Sequence, residues 1–173
     1  MSLTLLLGGA RSGKSSLAVA RARAFAGPVV FIATAEALDA EMEERVARHR
    51  AERDPAWTTV EEPLEPERAL EEAPPQACAI LDCLSLWVAN LVQQDISEEE
   101  VVRQAQRAAD VAATRPGPTI AVSNEVGMGV VPEFELGRRY RDALGRVNAT
   151  WAAAADEALL VIAGRTLGLE AIR

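Results

Sequence analysis

The stretch "GGARSGKSS", Gly8 to Ser16, holds the residue types that bind a phosphate chain. Gly8, Gly13, Lys14 and Ser15 fit the spacing G-x-x-x-x-G-K-[ST], directly after the apolar run Leu3–Leu7 and at the mouth of a helical pattern. Glycines there let successive backbone N–H groups turn inward around phosphate oxygens, and the helix N-terminus adds partial positive charge where the anion sits. Lys14 is the only lysine beside seventeen arginines. A compact ammonium entering a cradle towards the β and γ phosphates is not interchangeable with a planar guanidinium fork. Ser15 supplies a hydroxyl to Mg²⁺, which also needs a carboxylate at the end of a neighbouring strand. Asp82, closing the run "ACAILD", is the candidate, placed at the edge of the sheet where ligands bind. Its ordinary alternative is to cap a helix running from Leu84.

The single histidine, His49, lies in "LDAEMEERVARHRAER", Leu38 to Arg53. At 100° per residue, Leu38, Met42, Val46 and His49 share one stripe, while Glu41 with Arg45 and Glu44 with Arg48 form i,i+4 pairs on exposed faces. On that stripe a packed, hydrogen-bonded imidazole is the commoner outcome. A neutral imidazole can also attack phosphorus and form a phosphoramidate, splitting a transfer into two in-line displacements. The strand Val29–Ala33 and the loop "ATAEALD" lead from the sheet edge into this segment, which is compatible with placement near the cradle.

The elements that must position these groups alternate along the chain. Leu3–Leu7, Val29–Ala33, Cys78–Leu81, Thr119–Val122 and Leu159–Ala163 read as strands buried on both faces. Helical patterns run from Lys14 to Ala26, closed by Gly27-Pro28, and from Leu38 to Glu52, ended near Asp54-Pro55. Ser97 and Glu100 have capping-box spacing ahead of a helix to about Thr114. A further helix runs from after Pro132 towards Ala155, with Gly137 and Gly145 as points where it can split. Glu61–Ala77, with four prolines and many acids, reads as a connector with one helical turn around Arg68–Glu72. The grammar is that of an α/β domain with a mostly parallel sheet.

At 173 residues the chain fits one domain. A net charge of −8 argues against a nucleic-acid surface or a polybasic membrane patch, and favours small soluble ligands. Cys78 and Cys83 follow no metal-ligand spacing and imply a reducing cytoplasm; Leu3–Leu7 is too short for a membrane span and has no basic leader before it.

Seven blocks in order, "GGARSGKS", "FIATA", "DAEMEERVARHRAER", "WTTVEEP", "LDCLSLWVANLV", "VSNEVGMGVVP" and "GRRYRDALGRVNATWAAAADEALLVIAG", resemble the bifunctional adenosylcobinamide kinase and adenosylcobinamide-phosphate guanylyltransferase family of cobalamin biosynthesis. That resemblance implies a P-loop, RecA-like fold and two reactions. A nucleoside triphosphate, ATP or GTP, phosphorylates a hydroxyl of adenosylcobinamide. GTP then guanylylates a histidine, releasing pyrophosphate, and the GMP passes to adenosylcobinamide phosphate. Carried over, His49 is the covalent nucleophile, and Gly8, Gly9, Ala10, Arg11, Ser12, Gly13, Lys14 and Ser15 hold the phosphates. Ala33, Thr34, Ala35, Arg50, Ala51, Glu52, Arg53, Glu61 and Asp82 match the guanine nucleotide site. The resemblance also implies a homotrimer.

Two other classes use the same cradle: an ATPase, GTPase or small-molecule kinase without a covalent histidine, and a non-catalytic nucleotide-binding subunit. Asn124 and Glu125 sit where they can sense phosphate or water, or simply belong to a loop. Arg138, Arg139, Arg141 and Arg146 read as a solvated helix face, and Trp87, Phe134, Tyr140 and Trp151 as packing residues.

Overall fold

The computed structural model describes residues 2–36, 50 and 53–172. Seven strands form one sheet: β1 (Leu3–Gly8), β2 (Val29–Ala33), β3 (Thr58–Glu61), β4 (Cys78–Asp82), β5 (Thr119–Asn124), β6 (Glu157–Ile162) and β7 (Arg165–Gly168). Their order is β3-β2-β4-β5-β1-β6-β7, and every pairing is parallel except β6 with the edge strand β7. Five helices among the described residues accompany them: α1 (Lys14–Arg23), α2 (Pro66–Glu72), α3 (Leu84–Gln93), α4 (Glu98–Thr114) and α5 (Glu135–Ala154).

The central strands are buried on both faces because helices cover both. Alternation divides their side chains: Leu3, Leu5, Leu7, Val30, Ile32, Ala79 and Leu81 enter the larger cluster with α2 to α5. Leu6, Val29, Phe31, Ile80, Ile120 and Val122 pack with Ala18 and Ala22 of α1 on the opposite face. Trp87 of α3 and Trp151 of α5 are the largest fully buried side chains, both in the first cluster.

Several expectations need correction. Helix α1 ends at Arg23, three residues before Ala26. Strand β6 spans Glu157–Ile162 instead of Leu159–Ala163, and only Leu159 and Val161 are buried, because it lies near the sheet edge. Ala163 and Gly164 instead make the turn to β7, both with positive φ, 50° and 74°. Gly137 and Gly145 do not split α5, which is continuous over 20 residues. Its buried face, Ala143, Leu144, Val147 and Trp151, packs on β1 and the neighbouring helices, and that tertiary packing offsets the glycine propensity cost.

The Glu61–Ala77 connector is more structured than its prolines suggest. Glu61 belongs to β3, and α2 begins with Pro66 in its first turn, where a missing N–H costs nothing. Buried Arg115, just after α4, holds this region from inside. Its guanidinium donates to the carbonyls of Leu70, Pro74 (3.2 Å) and Ala77 (3.0 Å). At α4 itself, Ser97 Oγ accepts from the Glu100 N–H at 3.3 Å, but the Glu100 carboxylate pairs with Arg103 and Gln104. The serine half of the capping box is therefore present among these contacts. The helix Leu38–Glu52 lies outside the described residues.

Candidate nucleotide site at the carboxyl edge of the sheet

The parallel strands β1, β2, β4 and β5 end on the same edge, at Gly8, Ala33, Asp82 and Asn124. Ala33 is in register with both Glu61 and Asp82, so three candidate residues form one row across β3, β2 and β4. Gly8 is in register with Asn124, and β5 lies between the cradle strand and the strand carrying Asp82.

The cradle runs from β1 into α1. Gly8 has φ 152°, and a Cβ there would stand 2.2 Å from the Val161 carbonyl oxygen, a backbone atom that cannot give way. Gly13 caps α1 with φ 104°, and the intervening Arg11 also has positive φ, 56°. Positive φ at these three positions supplies the turns that an anion-binding nest requires. Gly9, Ala10 and Arg11 are exposed, Ser12 and Lys14 are buried, and Ser15 is half-buried. The β6–β7 turn braces the loop from behind, the Gly164 N–H donating to the Ser12 carbonyl at 2.9 Å.

Lys14 Nζ donates to the carbonyls of Gly8 (2.8 Å) and Gly9 (2.7 Å), which hold the ammonium over the loop. Burial lowers its pKa, and neighbouring Cys83 and Asp82 act in the opposite direction. Asp82 therefore lies within electrostatic reach of the cradle, although a strand separates them in the sheet. It does not cap α3: the N-cap is Cys83.

Thr34 is fully buried, and its hydroxyl is committed to protein. Thr34 Oγ1 donates to the Cys83 carbonyl at 2.7 Å and accepts from the Cys83 N–H at 2.9 Å. The Thr34 N–H donates to the Asp82 carbonyl at 3.2 Å. From α3, buried Asn90 donates through Nδ2 to the carbonyls of Thr34 (2.9 Å) and Pro63 (3.0 Å). One threonine and one asparagine thus tie together the segments that follow β2, β3 and β4. Sequence reading placed Thr34 at the site but missed Asn90, whose position within an apolar helix was the available signal: a buried amide there must find partners.

Arg53 lies over the Phe31 ring, 4.0 Å from guanidinium carbon to ring centroid. Burial lowers its pKa, the Asp82 charge raises it and the Arg50 charge lowers it, so all three groups are electrostatic neighbours. Its Nε and Nη1 have no hydrogen-bond partner among the described residues. Arg50 pairs with Glu61, both about half exposed. Ala35 is half-buried beside Thr34. His49, Ala51 and Glu52 lie outside the described residues.

Cys83 stands at the centre of this region, its Sγ 2.9 Å from Ser85 Oγ. Burial, reinforced by the Asp82 charge, pushes its pKa up to about 11, so it stays a neutral thiol and offers no ready nucleophile near neutral pH. On the other flank, Ser123 Oγ is 2.6 Å from Asn148 Oδ1, and Asn148 Nδ2 donates to the Asn124 carbonyl at 3.0 Å. The Glu125 N–H donates to the Gly8 carbonyl at 3.1 Å, joining the β5 end to the cradle.

The hard oxygen donors Ser15 and Asp82 suit Mg²⁺, which typically takes one or two protein ligands and completes its shell with water and phosphate. Among the described residues no cluster of three or more His, Cys, Asp or Glu side chains could hold a metal by itself. No helix among the described residues is long and apolar enough to cross a membrane.

A glycine-wound cradle with a buried lysine, on a mostly parallel sheet with one strand inserted before the acidic strand end, defines a P-loop nucleotide-binding protein of RecA-like architecture. The family described as cobinamide kinase / cobinamide phosphate guanyltransferase matches residues 4–169, and the chain belongs to that family. It is 41% identical over 167 residues to the bifunctional adenosylcobalamin biosynthesis protein CobP of Pseudomonas aeruginosa, covering 96% of each chain. Identity to the corresponding CobU proteins is 37% in Escherichia coli and 39% in Salmonella typhimurium, with 94% of this chain and 96% of each relative covered. Among solved structures, the fold matches an ATPase of a bacterial type III secretion system, with a TM-score of 0.57 and 10% identity over 92% of this chain and 50% of that one. A Pyrococcus horikoshii protein gives a TM-score of 0.59 at 8% identity, over 99% and 87%. These two likenesses concern fold alone.

Proposed function

We propose that the chain phosphorylates adenosylcobinamide with ATP or GTP and then transfers GMP from GTP to adenosylcobinamide phosphate through a guanylyl-histidine on His49. The observation that carries the reading is a P-loop with one buried lysine, in a chain whose family match spans residues 4–169. Residues 1–173 act as one catalytic domain.

In the kinase step the substrate hydroxyl oxygen attacks the γ-phosphorus, its proton departs to solvent or a base, and the bond to the β-phosphate bridging oxygen breaks. Cradle N–H groups from Gly8 to Ser15 and the Lys14 ammonium stabilise the charge on the phosphoryl oxygens. In the transferase step an imidazole nitrogen of His49 attacks the α-phosphorus of GTP and pyrophosphate leaves. A terminal oxygen of the corrinoid phosphate then attacks the same phosphorus, the N–P bond breaks, and the imidazole is restored. The imidazole must be unprotonated to attack, so guanylylation falls as the solution becomes acidic. Ser15 and Asp82 would hold Mg²⁺, which supplies charge neutralisation on the phosphates. Ala33, Thr34, Ala35, Arg50, Ala51, Glu52, Arg53 and Glu61 surround the guanine nucleotide, with Thr34 acting by holding the ends of β2 and β4 together.

A homotrimer working in the cytoplasm, without nucleic-acid partners, completes the proposal. The net charge of −8 supports the last point, and sedimentation equilibrium checks the trimer. To test the chemistry, the protein is incubated with Mg²⁺ and GTP labelled at the α-phosphate, quenched in base, and compared with His49→Ala. Label that survives base, is lost in acid, depends on His49 and chases onto adenosylcobinamide phosphate is the expected outcome. No covalent label under conditions where GTP binds would sink the histidine mechanism.

A further inference from the structure

The segment between β5 and α5, residues 125–134, begins at the cradle and ends in water. Its first residue donates to the Gly8 carbonyl. Further along, Met128, Val130, Val131 and Phe134 are 78%, 95%, 61% and 77% exposed, and Leu136 in the first turn of α5 is 52% exposed. Five large apolar side chains in nine consecutive positions, held out of the core, present apolar surface that water disfavours.

The loop is held in this presentation by polar contacts. Arg138 Nη1 donates to the carbonyls of Pro132 (3.1 Å) and Glu133 (2.6 Å), and the Gly127 N–H donates to the Glu125 carboxylate at 2.5 Å. A Cβ on Gly137 would come within 2.9 Å of Pro132 Cβ, so glycine lets the loop lie against the first turn of α5. The patch is also flanked by Glu125, Glu133 and Glu135, three carboxylates against the one guanidinium, that of Arg138, bonded into the loop.

We propose that this β5–α5 loop is the docking surface for the corrin ring, with Phe134 and Val130 as its apolar contacts and the flanking glutamates facing its cationic centre. The proposal rests on the function proposed above. The family's substrate is a large, net cationic cobalt macrocycle with apolar ring surface, and its side-chain hydroxyl must reach the γ-phosphate end of the cradle. An exposed apolar, acidic platform continuous with Gly8 matches it in both polarity and position. Phe134, which the sequence alone assigns to packing, is instead available to a ligand.

The test uses Phe134→Ser combined with Val130→Ser, both at solvent-exposed positions, with Ile172→Ser as a distant exposed control. Three quantities are measured: the dissociation constant for adenosylcobinamide by equilibrium dialysis, the KM values of the kinase step, and mass by sedimentation equilibrium. Loss of two apolar contacts is expected to weaken corrinoid binding and raise its KM about tenfold or more. The nucleotide KM and the mass stay unchanged, and the control behaves as wild type. Unaltered corrinoid dissociation in the double variant overturns the proposal. So does a fall in mass with nucleotide and corrinoid parameters worsening together, which would assign the patch to contact between copies of the chain. If the wild type binds adenosylcobinamide without phosphorylating it, the functional reading fails, while dialysis still decides the docking surface.

Discussion

The two halves of the candidate nucleotide site are built by opposite means. In the cradle, Lys14 Nζ reaches Gly8 and Gly9, six and five residues away in sequence, so a single short stretch forms the loop and its central contacts. Around Thr34 the partners are Cys83 and Asn90, 49 and 56 residues distant, brought together by β2, β4 and α3. A local loop can change its phosphate chemistry through one side chain without disturbing the sheet. The assembled half cannot, because each hydrogen bond there also joins separate elements of the fold. Function and stability should therefore separate in the first region and move together in the second.

The strongest separation is expected for Lys14→Ala. Removing the one ammonium of the cradle should cut the kinase rate by about 10²–10³-fold, the scale of losing a preorganised charge-stabilising donor. Thermal unfolding should change far less, and Lys14→Arg should not restore the rate. Loss of activity matched by collapse of the thermal transition would erase the distinction between the two regions.

A smaller but coupled effect is expected for Thr34→Val. The substitution leaves the Cys83 N–H without its hydroxyl acceptor and the Cys83 carbonyl without its donor, in a site where Thr34 is 0% exposed. A buried polar group left unpaired costs about 1–3 kcal/mol, readable by denaturant unfolding, and nucleotide KM should rise in parallel. Thr34→Ser keeps the hydroxyl and should recover most of both. Recovery of stability without KM would show that the hydrogen bonds hold the fold but do not place the site.

The mildest test is alkaline. Tyr140, the chain's single tyrosine, has its pKa pushed up from 10.0 to about 12 by burial, with the Cys83 charge adding to it. Because the folded value is raised, the unfolded chain loses this proton first. The phenol's contribution to stability is complete below about pH 10 and is lost as pH rises towards 12. Absorbance titration should give a midpoint near 12, and stability should decline across that window; a midpoint near 10 would place Tyr140 in solvent, apart from the assembled half.

The cradle was legible because its chemistry is encoded at fixed spacing, Gly8, Gly13, Lys14 and Ser15 after an apolar strand. Most strands were legible as well: Val29–Ala33 has the same bounds in both readings, and Thr119–Asn124 extends its expected run by two residues. Strands β3 and β7 were not, since "TTVE" and "RTLG" lie at the two edges, where exposure removes the apolar signal. Arg115 was hidden for a related reason: nothing local distinguishes an arginine in solvent from one buried against three carbonyls.

By itself, then, the sequence determined the cradle, the α/β grammar and the family, because each depends on residues near one another or on periodic burial. Only the tertiary structure decided that Thr34 bonds Cys83, that Asn90 reaches two loops, that the Val161 carbonyl excludes any side chain at Gly8, and that Phe134 faces water. Those outcomes depend on which strand ends lie side by side. Strand order follows from how all the apolar faces are covered at once, and no single segment carries that information.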